Sequence, residues 1–149
     1  MNAKNPVYYT TFCTKDFEPT LWRDGAAADI DPRNGIPLSE RGLIVERAIN
    51  AVSESFERVT TDKYVIMPNH VHILFTLSRD EGQPDSAMAK LVSAAVTSIK
   101  RAAAKEDKTI AWQKSSNDRP VKNDEGYRIV SEYIETNPFK WSDDCYKLR

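Results

Sequence analysis

The sequence predicts an α+β fold, an antiparallel sheet with helices packed on one face, in the order β-α-β-β-α-β followed by a C-terminal helix. Three observations carry this expectation. Runs dense in β-branched and aromatic residues alternate with segments whose apolar residues recur at helical spacing. Two of the β-like runs meet at Pro68-Asn69, a connection long enough only for a hairpin, which makes that pair antiparallel. The 149 residues, 40% of them hydrophobic, suffice for one core and leave no room for a second, so residues 1–149 form a single domain.

In chain order, Val7 to Thr14 (VYYTTFCT) reads as the first strand. Arg23 to Pro37 collects Gly, Pro, Asp and Asn without apolar periodicity and reads as a long loop. Ser39 then suits an N-cap, and Val45, Ala48, Ile49, Val52 and Phe56 make the buried stripe of a helix. Tyr64 to Met67 is the second strand, and the run from His70 the third. After the polar loop Arg79 to Pro84, Asp85 or Ser86 suits the cap of a second helix that turns Met88, Leu91, Val92, Ala95 and Ile99 inward. Thr109 to Gln113 (TIAWQ) is expected as the fourth strand. Asp124 is expected to cap a last helix with Tyr127, Val130 and Ile134 as its stripe, and Pro138 to end it. This order is the ferredoxin-like one.

The stretch Lys63 to Leu77, KYVIMPNHVHILFTL, is chemically the most pointed. Strand side chains alternate, so Val71, Ile73, Phe75 and Leu77 share one face, and His70 and His72, the chain's two histidines, share the other with Leu74 and Thr76. Residues two apart on a strand sit roughly 6.6 Å apart, within reach of one metal ion. Spacing alone also fits two partly exposed histidines outside the core, with a structural role or none.

Charge narrows the partners. The net charge of -1 excludes a chain that coats nucleic acid indiscriminately, yet Ser86 to Asn123 holds eight Lys/Arg against three Asp/Glu, enough for a basic face or a solvated helix. No run approaches a membrane span, and the N-terminal residues lack a signal peptide's apolar core, so a cytoplasmic location is expected. Cys13 and Cys145 lack zinc-knuckle spacing.

Tyr133 and Asn137, four apart on the last helix, lie one turn apart on a face offset from its apolar stripe, a phenol beside a neutral oxygen ligand. Together with YVIMPNHVHILF (Tyr64 to Phe75), WQ (Trp112-Gln113) and EYIETNPFKW (Glu132 to Trp141), this pattern resembles the REP-associated tyrosine transposases within the single-tyrosine HUH transposases. The first block is long and specific. WQ is weak alone and gains weight from its distance to the last block.

The resemblance implies that His70, His72 and Asn137 hold a divalent metal, Mg or Mn, and that Tyr133 attacks single-stranded DNA at palindromic, REP-like hairpins, leaving a 5'-phosphotyrosine and a free 3'-hydroxyl. Lys90, Lys100, Arg101, Arg119 and Lys122 are then candidate phosphate contacts. It also allows a homodimer. Where relatives often carry aromatic residues after WQ, this chain reads KSSNDRPV from Lys114 to Val121, which questions DNA contacts there. Trp22, Trp112, Tyr127 and Trp141 suit base stacking or the core. The alternative function is a hairpin-binding protein of the same fold that does not cut.

Overall fold

A computed structural model describes residues 5–24, 26 and 35–143. Most of the expected loop, residues 25 and 27–34, lies outside them, as do Cys145 and Tyr146. Four strands, β1 (Val7–Cys13), β2 (Val59–Ile66), β3 (His70–Leu77) and β4 (Asn117–Val121), form one antiparallel sheet in the order β2-β3-β1-β4. Helices α1 (Glu40–Ser55), α2 (Asp85–Glu106) and α3 (Asp124–Thr136) intervene as expected, and a 3-10 segment, Asn137–Asp143, follows α3. Among the described residues no helix is long and apolar enough to cross a membrane.

The alternation along β3 sorts two apolar layers, one on each face of the sheet, where a single core was expected. Val71, Ile73, Phe75 and Leu77 pack with Tyr8 and Phe12 of β1 under the stripes of α1 and α2. Leu74 faces the other way and packs with Val7, Val65, Met67, Ile134 and Trp141. The helices are therefore not all on one face: α3 and the segment after it cover the second. That second layer also corrects the expectation for the histidines. His70 and His72 alternate as read, but at 0% and 2% exposure they are buried in the core.

Local chemistry explains most boundaries. Ser39 caps α1 by accepting the Gly42 N–H, and Gly42 lies so close to the Leu21 carbonyl that a Cβ would collide with it. Phe56, expected in the buried stripe, is instead the C-cap and only partly buried. β2 begins at Val59, five residues before the expected start, because its first half is an edge with mixed exposure and no apolar signature. α2 is preceded by Pro84 at the N-cap with no side-chain cap; Asp85, one of the expected caps, is the first helical residue and pairs with Arg79 instead. On α2 Val96 and Ala103 join the buried stripe while Leu91 is only partly buried. The α3 cap is Asn123, one residue before Asp124, and accepts from the Gly126 N–H at 2.7 Å.

The fourth strand is the main correction. Thr109 to Gln113 drops Ile110 into the core and packs Trp112 edge-on to Phe12, making only an isolated bridge, Thr14 to Trp112. The ladder along Val7 to Thr11 is filled by Asn117–Val121, NDRPV. A polar run with a proline is tolerated there because β4 is an edge strand, the place where a residue without an N–H does least harm.

Candidate active site

Antiparallel register places β1 residues beside the histidines. Cys13 stands opposite His70, Thr11 opposite His72 and Tyr9 opposite Leu74, so these β1 side chains share the histidine face. The imidazole rings lie 4.7 Å apart, centroid to centroid.

Each ring is oriented through Nδ1. Asn69 donates its amide to the Phe17 carbonyl at 3.2 Å, which leaves Oδ1 to accept from His70 Nδ1 at 2.8 Å. The proton of His70 is thereby held on Nδ1 and the lone pair on Nε2. His72 Nδ1 is bracketed by the hydroxyls of Thr11 (2.8 Å) and Tyr9 (3.0 Å). Such outer partners set which nitrogen of a histidine serves as ligand. Burial holds both imidazoles neutral: His70 is lowered to about 2, by burial first and the neighbouring His72 second, and His72 to about 4, by burial. Neutral rings are the ligand form.

α3 closes the site from above. The Tyr133 ring meets His72 edge to face at 5.4 Å, with the residue 41% exposed. Trp141 lies 6.2 Å from His70. Asn137, between them in sequence, gives its N–H to the Tyr133 carbonyl and is buried to 3% exposure, with its Nδ2 making no hydrogen bond among the described residues. Nδ2 is a donor and would not face a cation, so Asn137 could serve a metal only through its Oδ1. Two neutral imidazoles with fixed orientation and this amide fit a hard or borderline divalent cation such as Mg or Mn. Among the described residues no group of three or more His, Cys, Asp or Glu offers a different centre.

The candidate cations divide between two layers. Lys90 and Arg101 line an open groove of about 690 Å³ along the outer side of α2, a helix that packs on the sheet face opposite the histidines. Lys100 is half-buried, with its ammonium on the Gln113 and Ser115 carbonyls (2.9 and 3.2 Å) and 5.8 Å from the Phe12 ring centre; burial lowers its pKa. It staples the loop that leads into β4. Arg119, on β4, shares a cleft of about 400 Å³ with His72 and Tyr133, and Lys122 is exposed in the turn before α3. Trp22 and Trp141 are core residues, and the Tyr127 hydroxyl donates to Asp62 at 3.0 Å.

Sequence reasoning missed Tyr9, Thr11, Asn69 and Asn117. Asn69 sits inside the motif and the alternation Tyr9, Thr11, Cys13 was available, but their facing His70 and His72 required the β1–β3 register. Tyr9 is a second phenol at the histidines, where only Tyr133 was expected.

No family model matches the chain. An uncharacterized protein of Haemophilus influenzae is 24% identical over 125 residues, spanning 72% of this chain and 69% of its own. Two solved structures share the fold. One is a REP-associated tyrosine transposase bound to a REP hairpin, with TM-score 0.63 and 17% identity over 93% of this chain and 68% of that one. The other is a candidate transposase from Deinococcus radiodurans R1, with TM-score 0.51 and 12% identity over 91% and 92% of the two chains.

Proposed function

We propose that this chain, which has the fold of a REP-associated tyrosine transposase, cleaves and rejoins single-stranded DNA at palindromic hairpins through Tyr133. One observation carries the reading: an exposed tyrosine on α3 stands 5.4 Å, ring to ring, from His72, one of a buried and oriented histidine pair. His70, His72 and Asn137 would hold a divalent cation, Mg or Mn. When bound, that cation offsets charge on a non-bridging phosphate oxygen and orients the phosphorus.

The remaining chemistry belongs to the chain. The Tyr133 oxygen attacks phosphorus in line as its phenolic proton passes to solvent, the bond to the 3'-oxygen breaks, that oxygen takes a proton from solvent, and a 5'-phosphotyrosine and a free 3'-hydroxyl result. The ester keeps the bond energy, so a 3'-hydroxyl can reverse the step without a nucleotide cofactor. The exposure of Tyr133 gives DNA access, while burial of the imidazoles keeps them neutral as ligands rather than as bases.

The test is incubation with manganese and labelled single-stranded DNA carrying hairpins that flank the chain's own gene. A covalent adduct should form and map to Tyr133, and Tyr133→Phe should abolish it while hairpin binding persists. An adduct on Tyr9 or any other tyrosine, or one undiminished in Y133F, overturns the assignment. Binding without any adduct would support the alternative, a hairpin-binding protein of the same fold.

A further inference from the structure

The cleft that Arg119 shares with His72 and Tyr133 lies between β4 and α3. Tyr9 and Thr11 of β1 form its floor, Asn117 and Arg119 one wall, and Ile129 and Val130 the other. Its volume of about 400 Å³ suits a small ligand and is far too little for a duplex.

The cleft holds one cation, Arg119, which, like Lys90, Arg101 and Lys122, makes no ion pair among the described residues. Arg41, Arg47, Arg58, Lys63, Arg79 and Arg128 each face a carboxylate. Arg119 faces none among the described residues. Its sequence neighbour Asp118 points to the opposite sheet face, where it accepts from Thr10. Arg119 is held only through Nε, which donates to Asn117 Oδ1 at 3.3 Å, leaving the two terminal nitrogens to fork onto an oxyanion. On the facing wall Ile129 is 54% exposed, a large apolar side chain left uncovered on a helix whose other face is packed. A cation without an acid, an amide edge and an apolar platform together describe a nucleotide.

We propose that the cleft binds the single unpaired nucleotide bordering the bond that Tyr133 attacks. Arg119 grips its phosphate, Asn117 meets the edge of its base, and Ile129 and Tyr9 lie against its face. The proposal rests on Tyr133 attacking single-stranded DNA, and it assigns sequence selection beside the hairpin to the polar run Asn117–Arg119. Base and phosphate contacts then differ in consequence, the one specifying and the other positioning.

The experiment keeps the hairpin constant and replaces the nucleotides flanking the cleavage point, one at a time, by an abasic residue. Binding is measured by anisotropy in the Tyr133→Phe protein, where no chemistry intervenes. One flanking position should weaken binding on the order of ten-fold when abasic, and its neighbours little. Arg119→Ala should weaken binding to the intact strand and lower the salt slope by about one. Asn117→Ala, which also frees Arg119 Nε, should flatten base preference at the abasic-sensitive position with a smaller loss of salt slope than Arg119→Ala. Circular dichroism confirms that these exposed edge-strand variants fold. Equal binding for every abasic strand, or an Arg119→Ala protein with unaltered affinity and salt slope, overturns the proposal. Failure of the wild-type protein to form an adduct would instead count against Tyr133 as nucleophile, since the binding series reads the cleft independently.

Discussion

In the absence of metal, acidification should destabilise this protein well before its carboxylates titrate. Burial lowers His70 to about 2 and His72 to about 4 from the ordinary 6.5, so the folded state keeps both rings neutral where the unfolded chain takes up a proton on each. A depressed folded pKa on a base means that stability is full above about pH 6.5 and falls as pH drops below it. Between pH 7 and 5 each histidine costs roughly 2 kcal/mol, about 4 for the pair, against the 5–15 kcal/mol typical of a domain. Urea unfolding followed by circular dichroism in chelator at pH 7, 6 and 5 measures the loss. His72→Gln should remove about half of the pH dependence. A stability constant to within about 0.5 kcal/mol between pH 7 and 5 would refute the premise that both rings are buried and neutral. The same burial means that His70→Ala is not silent for folding, since it leaves a cavity and strips Asn69 of a partner, at a cost of roughly 2–4 kcal/mol.

Two further outcomes follow from the neighbours of the site. Thr11→Val and Tyr9→Phe together should lower manganese affinity 10- to 100-fold by calorimetry, because His72 Nδ1 loses both hydroxyls that orient it; unchanged affinity would make that bracket irrelevant to the metal. Alanine at Lys90 and Arg101 should reduce hairpin affinity and lower the salt slope by about one per residue, with the fraction of bound DNA converted to adduct unchanged, since both lie on the layer opposite Tyr133; an unaltered slope would remove α2 from the DNA surface.

What was legible in the sequence follows what burial imprints on it. The hairpin at Pro68-Asn69 is closed by Met67 N–H on the His70 carbonyl at 2.8 Å, and the stripe of α1 was readable because one face meets a core and the other water. β4 was illegible for the opposite reason. An edge strand of mostly exposed residues needs no apolar alternation, whereas TIAWQ, apolar for packing Ile110 and Trp112 beside Phe12, imitates a strand. At the site, the pair spacing and the Tyr133–Asn137 turn were local and could be read. The burial of the histidines was not, because it comes from α3 and Trp141, more than fifty residues further along the chain, folding over the second sheet face.

Tyr133 stands over His72 because α3 packs on the second sheet face, and an irregularity in β2 adds to that placement. The β2–β3 register shifts between Thr61 and Lys63, so Asp62 has no partner of its own on β3. Its carboxylate instead accepts from Thr76 at 2.7 Å and from Tyr127, near the start of α3, at 3.0 Å. The next residue, Lys63, pairs with Glu135 near the end of the same helix. Exposed polar ties of this kind are worth at most about 1 kcal/mol each, too little to hold a helix. The apolar anchor is Ile134, packed with Val65, Met67, Leu74 and Trp141, whose burial contributes roughly 1.5–3 kcal/mol. Tyr127 and Val130, partly buried, pack against the same cluster, so the apolar contact runs along the helix. Ties at Tyr127 and Glu135, two turns apart, add to that packing. The bulge thus adds polar ties at both ends of a helix whose apolar stripe already lays Tyr133, the residue beside Ile134, against the histidines.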